Sequence, residues 1–107
     1  MKIGIVFGDN DFWVTITEFL ELLKSKQIST KDDVVTLFNN TAHKLYWAKQ
    51  NKGEYDLEWD AMSYLQIKKG NVLFDDEVDN FMQEIIEDGG NGEFFVLDTK
   101  KSTINTY

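Results

Sequence analysis

The sequence predicts an α+β fold: a single domain over residues 1–107, in which a small mixed β-sheet of roughly three to five strands carries about three helices. Three observations predict it. Apolar runs rich in β-branched and aromatic residues open and close the chain, stretches of helical period lie between them, and clusters of Asp, Asn and Gly separate the two kinds of segment. The 107 residues fit one compact core, and hydrophobic residues at 42% with aromatics at 14% supply the apolar area to offset chain entropy.

In residues 2 to 7, "KIGIVF", β-branched residues dominate and both alternating faces are apolar, which reads as a strand near the sheet centre. Past Asp9, Asn10 and Asp11, which are expected to cap a helix, Phe12, Ile16, Phe19, Leu20 and Leu23 recur at steps of three and four as far as Lys26. A second helix is expected over about residues 31 to 51. Ser29 or Thr30 followed by Asp32 or Asp33 forms a short-armed capping box, Val34, Phe38, Thr41, Ala42 and Leu45 make one face, and Gly53 supplies the stop.

The period then changes. In "EYDLEWDA", Tyr55, Leu57, Trp59 and Ala61 alternate with Glu54, Asp56, Glu58 and Asp60, as in a half-exposed strand. Residues 62–74 fit a short helix ended by Gly70 or a hairpin turning at Lys69, Gly70 and Asn71, and the hairpin is the expectation. Asp75 and Asp76 are expected to cap a third helix with Val78, Phe81, Met82, Ile85 and Ile86 on one side and acids on the other. "DGGNG" ends it, residues 93 to 98 read as a final buried strand, and residues 99–107 as an edge strand or a frayed tail.

Composition excludes several functions. There is no cysteine, hence no disulfide, thiolate metal site or thiol nucleophile, and a reducing cytoplasmic setting is the simplest expectation. No apolar run reaches the roughly 18 residues of a membrane span, and no export signal opens the chain, so a soluble protein with no membrane partner is expected. All eleven basic residues are lysines and the net charge is −8. Without the planar arginine fork, and with repulsion from phosphates, direct nucleic-acid binding is disfavoured.

The charge is uneven. Residues 1 to 53 hold six acids and seven lysines (+1), residues 54 to 98 hold thirteen acids and two lysines (−11), and the tail adds two lysines. Such a negative half steers a basic partner or keeps the protein in solution.

Candidate sites follow from these patterns. Asp9 and Asp11 stand at the carboxyl end of the first strand, where hard oxygen ligands for magnesium or calcium would gather, although helix capping accounts for them more simply. Neither GxGxxG nor a P-loop follows that strand. Glu54, Asp56, Glu58 and Asp60 would set carboxylates about 6.6 Å apart on one strand face, an acidic docking surface or a face balanced by lysines such as Lys68 and Lys69. "DDEVDN" begins like a calcium loop from Asp75 but has Asn80 in place of the turn glycine and Ile86 in place of the closing glutamate, so capping explains it better. His43 and Trp47 share the side of the second helix away from its apolar stripe. There Trp47 is either covered by a second layer or an exposed anchor for a partner.

These readings favour a small non-enzymatic protein-binding protein, accessory or inhibitor-like, that uses no cofactor and meets its partner through Glu54, Asp56, Glu58, Asp60, Trp47 and His43. Two alternatives stand beside it. One is a magnesium- or calcium-dependent phosphoryl-transfer or hydrolytic enzyme built on Asp9, Asp11 and a distant acid such as Asp98. The other is a structural adaptor whose surplus aromatics form a homo-oligomer interface.

Overall fold

The computed structural model describes residues 1–9, 12–50 and 65–107. In chain order these form β1 (Lys2–Val6), α1 (Trp13–Leu23), α2 (Lys31–Gln50), a 3-10 turn (Lys69–Asn71), β2 (Val72–Phe74), α3 (Asp76–Glu87), β3 (Phe94–Asp98) and β4 (Thr103–Thr106). The α+β class is thereby established. The strands form one sheet in the order β2-β1-β3-β4, and every neighbouring pair is antiparallel. The expected mixed pairing is absent from this sheet for a simple reason: β2 and β3 run parallel to each other, but β1 lies between them, so α3 crosses over β1.

Alternation along β1 divides the core into two layers. Ile3, Ile5 and Phe7 join Val72, Phe95 and Leu97 on one face, which packs against Phe12, Ile16, Phe19, Leu20 and Leu23 of the α1 segment and Val34, Phe38 and Ala42 of α2. The opposite face, with Phe94 and Val96, packs against Val78 and Ile85 of α3. Phe19 and Phe38 lock the two helices together edge to face at 4.9 Å, a geometry that adds about 0.5–1.5 kcal/mol beyond area burial. Gly4 lies on the α3 side, where a Cβ would stand 2.6 Å from Phe94 Cε1 and 3.2 Å from Val78 Cγ2. The glycine gives that layer the space for the Phe94 ring.

The capping box at α2 forms as its residue types predict. Thr30 Oγ1 accepts the Asp33 N–H at 3.1 Å, and Asp33 Oδ2 accepts the Thr30 N–H at 3.1 Å. At α1, Phe12 holds the N-cap position without a side-chain cap of its own, and Asp9 contributes its main-chain carbonyl to the Phe12 N–H at 3.4 Å. The Phe12 ring, buried against Phe7 and Tyr46, anchors the entry to this helix. The α-helix also ends at Leu23 rather than near Lys26, because Lys24, Ser25 and Lys26 bond back only three residues, tightening the last turn. Asn10, Asp11 and the α2 stop at Gly53 lie outside the described residues.

Residues 65–74 form neither the helix nor the hairpin expected of residues 62–74. Asn39 of α2 donates Nδ2 to the Ile67 carbonyl at 3.1 Å and accepts the Ile67 N–H on Oδ1 at 2.9 Å, so a side-chain amide bonds this segment as a strand would. Asn71 closes the 3-10 turn and donates Nδ2 to the Val6 carbonyl at 3.1 Å. The chain is thereby drawn into β2, whose partner is β1. At the other end of β2, Asp75 takes φ +47°, with its N–H on the Lys2 carbonyl and its Oδ1 accepting the Lys2 N–H at 2.9 Å. It occupies the N-cap position of α3, yet its carboxylate serves the sheet rather than the helix.

Candidate interaction surface

Helix α3 carries the densest charge among the described residues. Residues 75 to 88 hold seven acids and no lysine. Because Val78 and Ile85 turn inward, Asp76, Glu77, Asp79, Glu84 and Glu87 turn outward and are exposed, flanked by exposed Asp75 and Asp88. Asp76, Glu77 and Asp79 sit in the first turn, where the positive end of the helix dipole favours them. Glu84, Glu87 and Asp88 sit at the negative end, where the dipole opposes them.

Two lysines tie the acidic helix to the body. Lys2 Nζ reaches Asp79 Oδ1 at 2.7 Å, and this bond is the main cause of a Lys2 pKa above its usual value. Lys31 Nζ, at the start of α2, reaches Glu77 Oε1 at 2.6 Å. The Glu77 carboxyl is held below its usual value, first by Lys31 and next by the Phe74 N–H that it accepts at 3.3 Å. No ion pair within 4.0 Å involves Asp76, Glu84, Glu87 or Asp88 among the described residues.

Beside α3, the strip of β4 on the same face is left uncovered by the described residues. Lys2, Met82, Val96, Asp98, Lys101, Thr103, Asn105 and Tyr107 line a cleft of about 370 Å³ there. Asp98 Oδ1 accepts the N–H groups of Lys100 at 3.0 Å and Lys101 at 3.2 Å, and these bonds, Lys101 foremost, hold its carboxyl below the usual range. A carboxylate so stabilised is a poor proton acceptor.

Of the sequence-derived candidates, His43, Trp47, Asp9 and Asp98 are among the described residues. Glu54, Asp56, Glu58, Asp60 and Asp11 lie outside the described residues. His43 and Trp47 are both half-buried on α2, so Trp47 is neither sealed in a second layer nor fully displayed. Asp9 is exposed beyond the end of β1, whereas Asp98 pairs with Lys2 at the start of that strand, about 23 Å away at strand spacing. Asp98 therefore does not complete an ion site with Asp9. Among the described residues, no three of His, Asp or Glu stand together as metal ligands, and no helix is long and apolar enough to cross a membrane.

Two exposed apolar residues escaped the sequence reading. Trp13, on the first turn of α1, is 57% exposed. Ile86, expected on the buried side of α3, is 59% exposed; Ile85 takes the inward position, and a step of about 100° swings Ile86 out beside Gly89, Gly90 and Tyr107. No known protein family, no curated protein and no solved structure matches the chain.

Proposed function

We propose that this chain is a non-enzymatic binding protein, accessory or inhibitor-like, that docks a basic protein partner on the outer face of α3. One observation carries the reading: Glu84, Glu87 and Asp88 crowd the end of α3 where the dipole opposes them, and no lysine compensates them among the described residues. A lysine at those places would stabilise the helix, so a partner's positive charge is the natural complement. The cysteine-free composition fits a reducing, cytoplasmic setting.

The test is affinity capture from the native host at low and high salt, with wild type and a Glu84→Lys/Glu87→Lys variant. A specific basic protein should be retained by wild type at low salt, released as ions screen the contact, and lost from the variant. Retention indifferent to both salt and the charge reversals would refute an α3-directed contact.

A further inference from the structure

The two edges of the sheet are finished differently. In an antiparallel ladder, alternate residues turn their backbone N–H and C=O to opposite sides. On β2, Leu73 bonds toward β1, which leaves Val72 and Phe74 facing outward. That edge is sealed: the strand is only three residues long, Glu77 takes the Phe74 N–H, and Lys31 reaches across from α2 to hold Glu77.

Among the described residues, nothing protects β4 in this way. The mutual bonds between Tyr107 and Phe94 fix the phase of the β3–β4 ladder, so Thr103 and Asn105 bond inward while Ile104 and Thr106 present their N–H and C=O to the open side. The strand reads "TINT", without charge, proline or bulge, the devices that usually discourage edge pairing.

We propose that a second copy of this chain pairs antiparallel on β4 about a two-fold axis, joining the two sheets into one of eight strands (four from each copy). The register follows from the outward groups. Placing Ile104 opposite Thr106 of the second copy, and the reverse, satisfies both outward residues of each chain, whereas Ile104 opposite Ile104 satisfies only one. Asn105 then faces Asn105, and Thr103 faces Tyr107, on the side that carries α3.

Charge selects a second copy over an unrelated strand. One end of β4 adjoins Lys100 and Lys101, in a turn that Asp98 fixes through their N–H groups. The other end adjoins the Asp88–Gly92 turn, through the Gly92 N–H bonded to the Tyr107 carbonyl at 2.9 Å. Antiparallel pairing brings each lysine turn to the same end of the joint sheet as the other copy's Asp88 turn. It also lays that lysine turn across the cleft of about 480 Å³ lined by Ile86, Gly90, Thr106 and Tyr107, covering the exposed isoleucine.

Sedimentation velocity from about 1 μM to 1 mM, a range set by the weakness of small interfaces, tests the pairing. Wild type should dimerise within it, and more weakly in high salt. Thr106→Pro removes an outward N–H that β3 does not use, so its melting temperature should stay near wild type while the dimer Kd rises about tenfold or more. Lys101→Glu and Asp88→Lys should each weaken the dimer, and their combination should recover it. A wild type that is monomeric throughout, a dimer unmoved by Thr106→Pro, or a combination no tighter than its parents would overturn the proposal.

Discussion

Gly4 marks the point where β1 touches α3 most closely. It can be no larger because the Phe94 ring, fully buried and stacked edge to face on Phe81 at 4.8 Å, already fills the space above it. Gly4→Ala should cost about 1–3 kcal/mol by overpacking, read as a lower midpoint in denaturant with an unchanged slope. Asn39 is the second telling residue, since its amide satisfies both backbone groups of Ile67 from a neighbouring helix. Asn39→Leu keeps the size but strands those groups, and a loss of about 1–3 kcal/mol is expected in the same titration. Neither role was legible beforehand. A glycine inside an apolar strand and an asparagine on a helix acquire meaning only when a partner more than 25 residues away stands against them.

At the scale of elements, local rules worked where one segment's own residues decide the outcome. The Thr30–Asp33 box starts α2, and the apolar stripes of α1 and α3 are buried at Phe19, Leu20, Val78 and Ile85. They failed where the environment chose: Ile86 fits the stripe by spacing yet lies outside the area that the sheet covers, and Asp75 spends its carboxylate on β1. The acidic end of α3 yields a prediction of its own. Glu87→Lys replaces an unfavourable charge with a favourable one and should stabilise the protein by about 0.3–1 kcal/mol, raising Tm by about 2–6 °C in a thermal melt. The same substitution should weaken capture of a basic partner, so stability and binding move in opposite directions.

For the whole molecule, the lowered carboxyls of Asp33, Glu77 and Asp98 set the acid response. Each binds its proton less readily in the fold than in the unfolded chain. Their contribution is therefore complete above the ordinary values of 3.8 for Asp and 4.5 for Glu, and is lost as pH falls through the lowered folded values. Lys2 acts in the reverse sense: its contribution is complete below 10.5 and fades as pH rises beyond its raised value. Glu77→Gln should be less stable than wild type at pH 7, and the two denaturation curves should converge as the pH drops well below 4.5. The relief of repulsion among the other acids is common to both proteins and cancels in this comparison. Curves that stay equally separated at every pH would show that the Lys31–Glu77 pair does not govern the difference.

The sequence by itself determined the α+β class, the three amphipathic helices, the buried first and penultimate strands and the concentration of acids after residue 53, because periodicity, capping and charge are properties of neighbouring residues. Tertiary structure alone decided the strand order, the antiparallel pairing of β2 with β1, the separation of Asp9 from Asp98, and which edge is sealed and which stands open among the described residues. Those depend on hydrogen bonds between groups as much as 98 residues apart, such as the Thr99 hydroxyl with the Met1 carbonyl, and no local pattern specifies which distant backbone a side chain will meet.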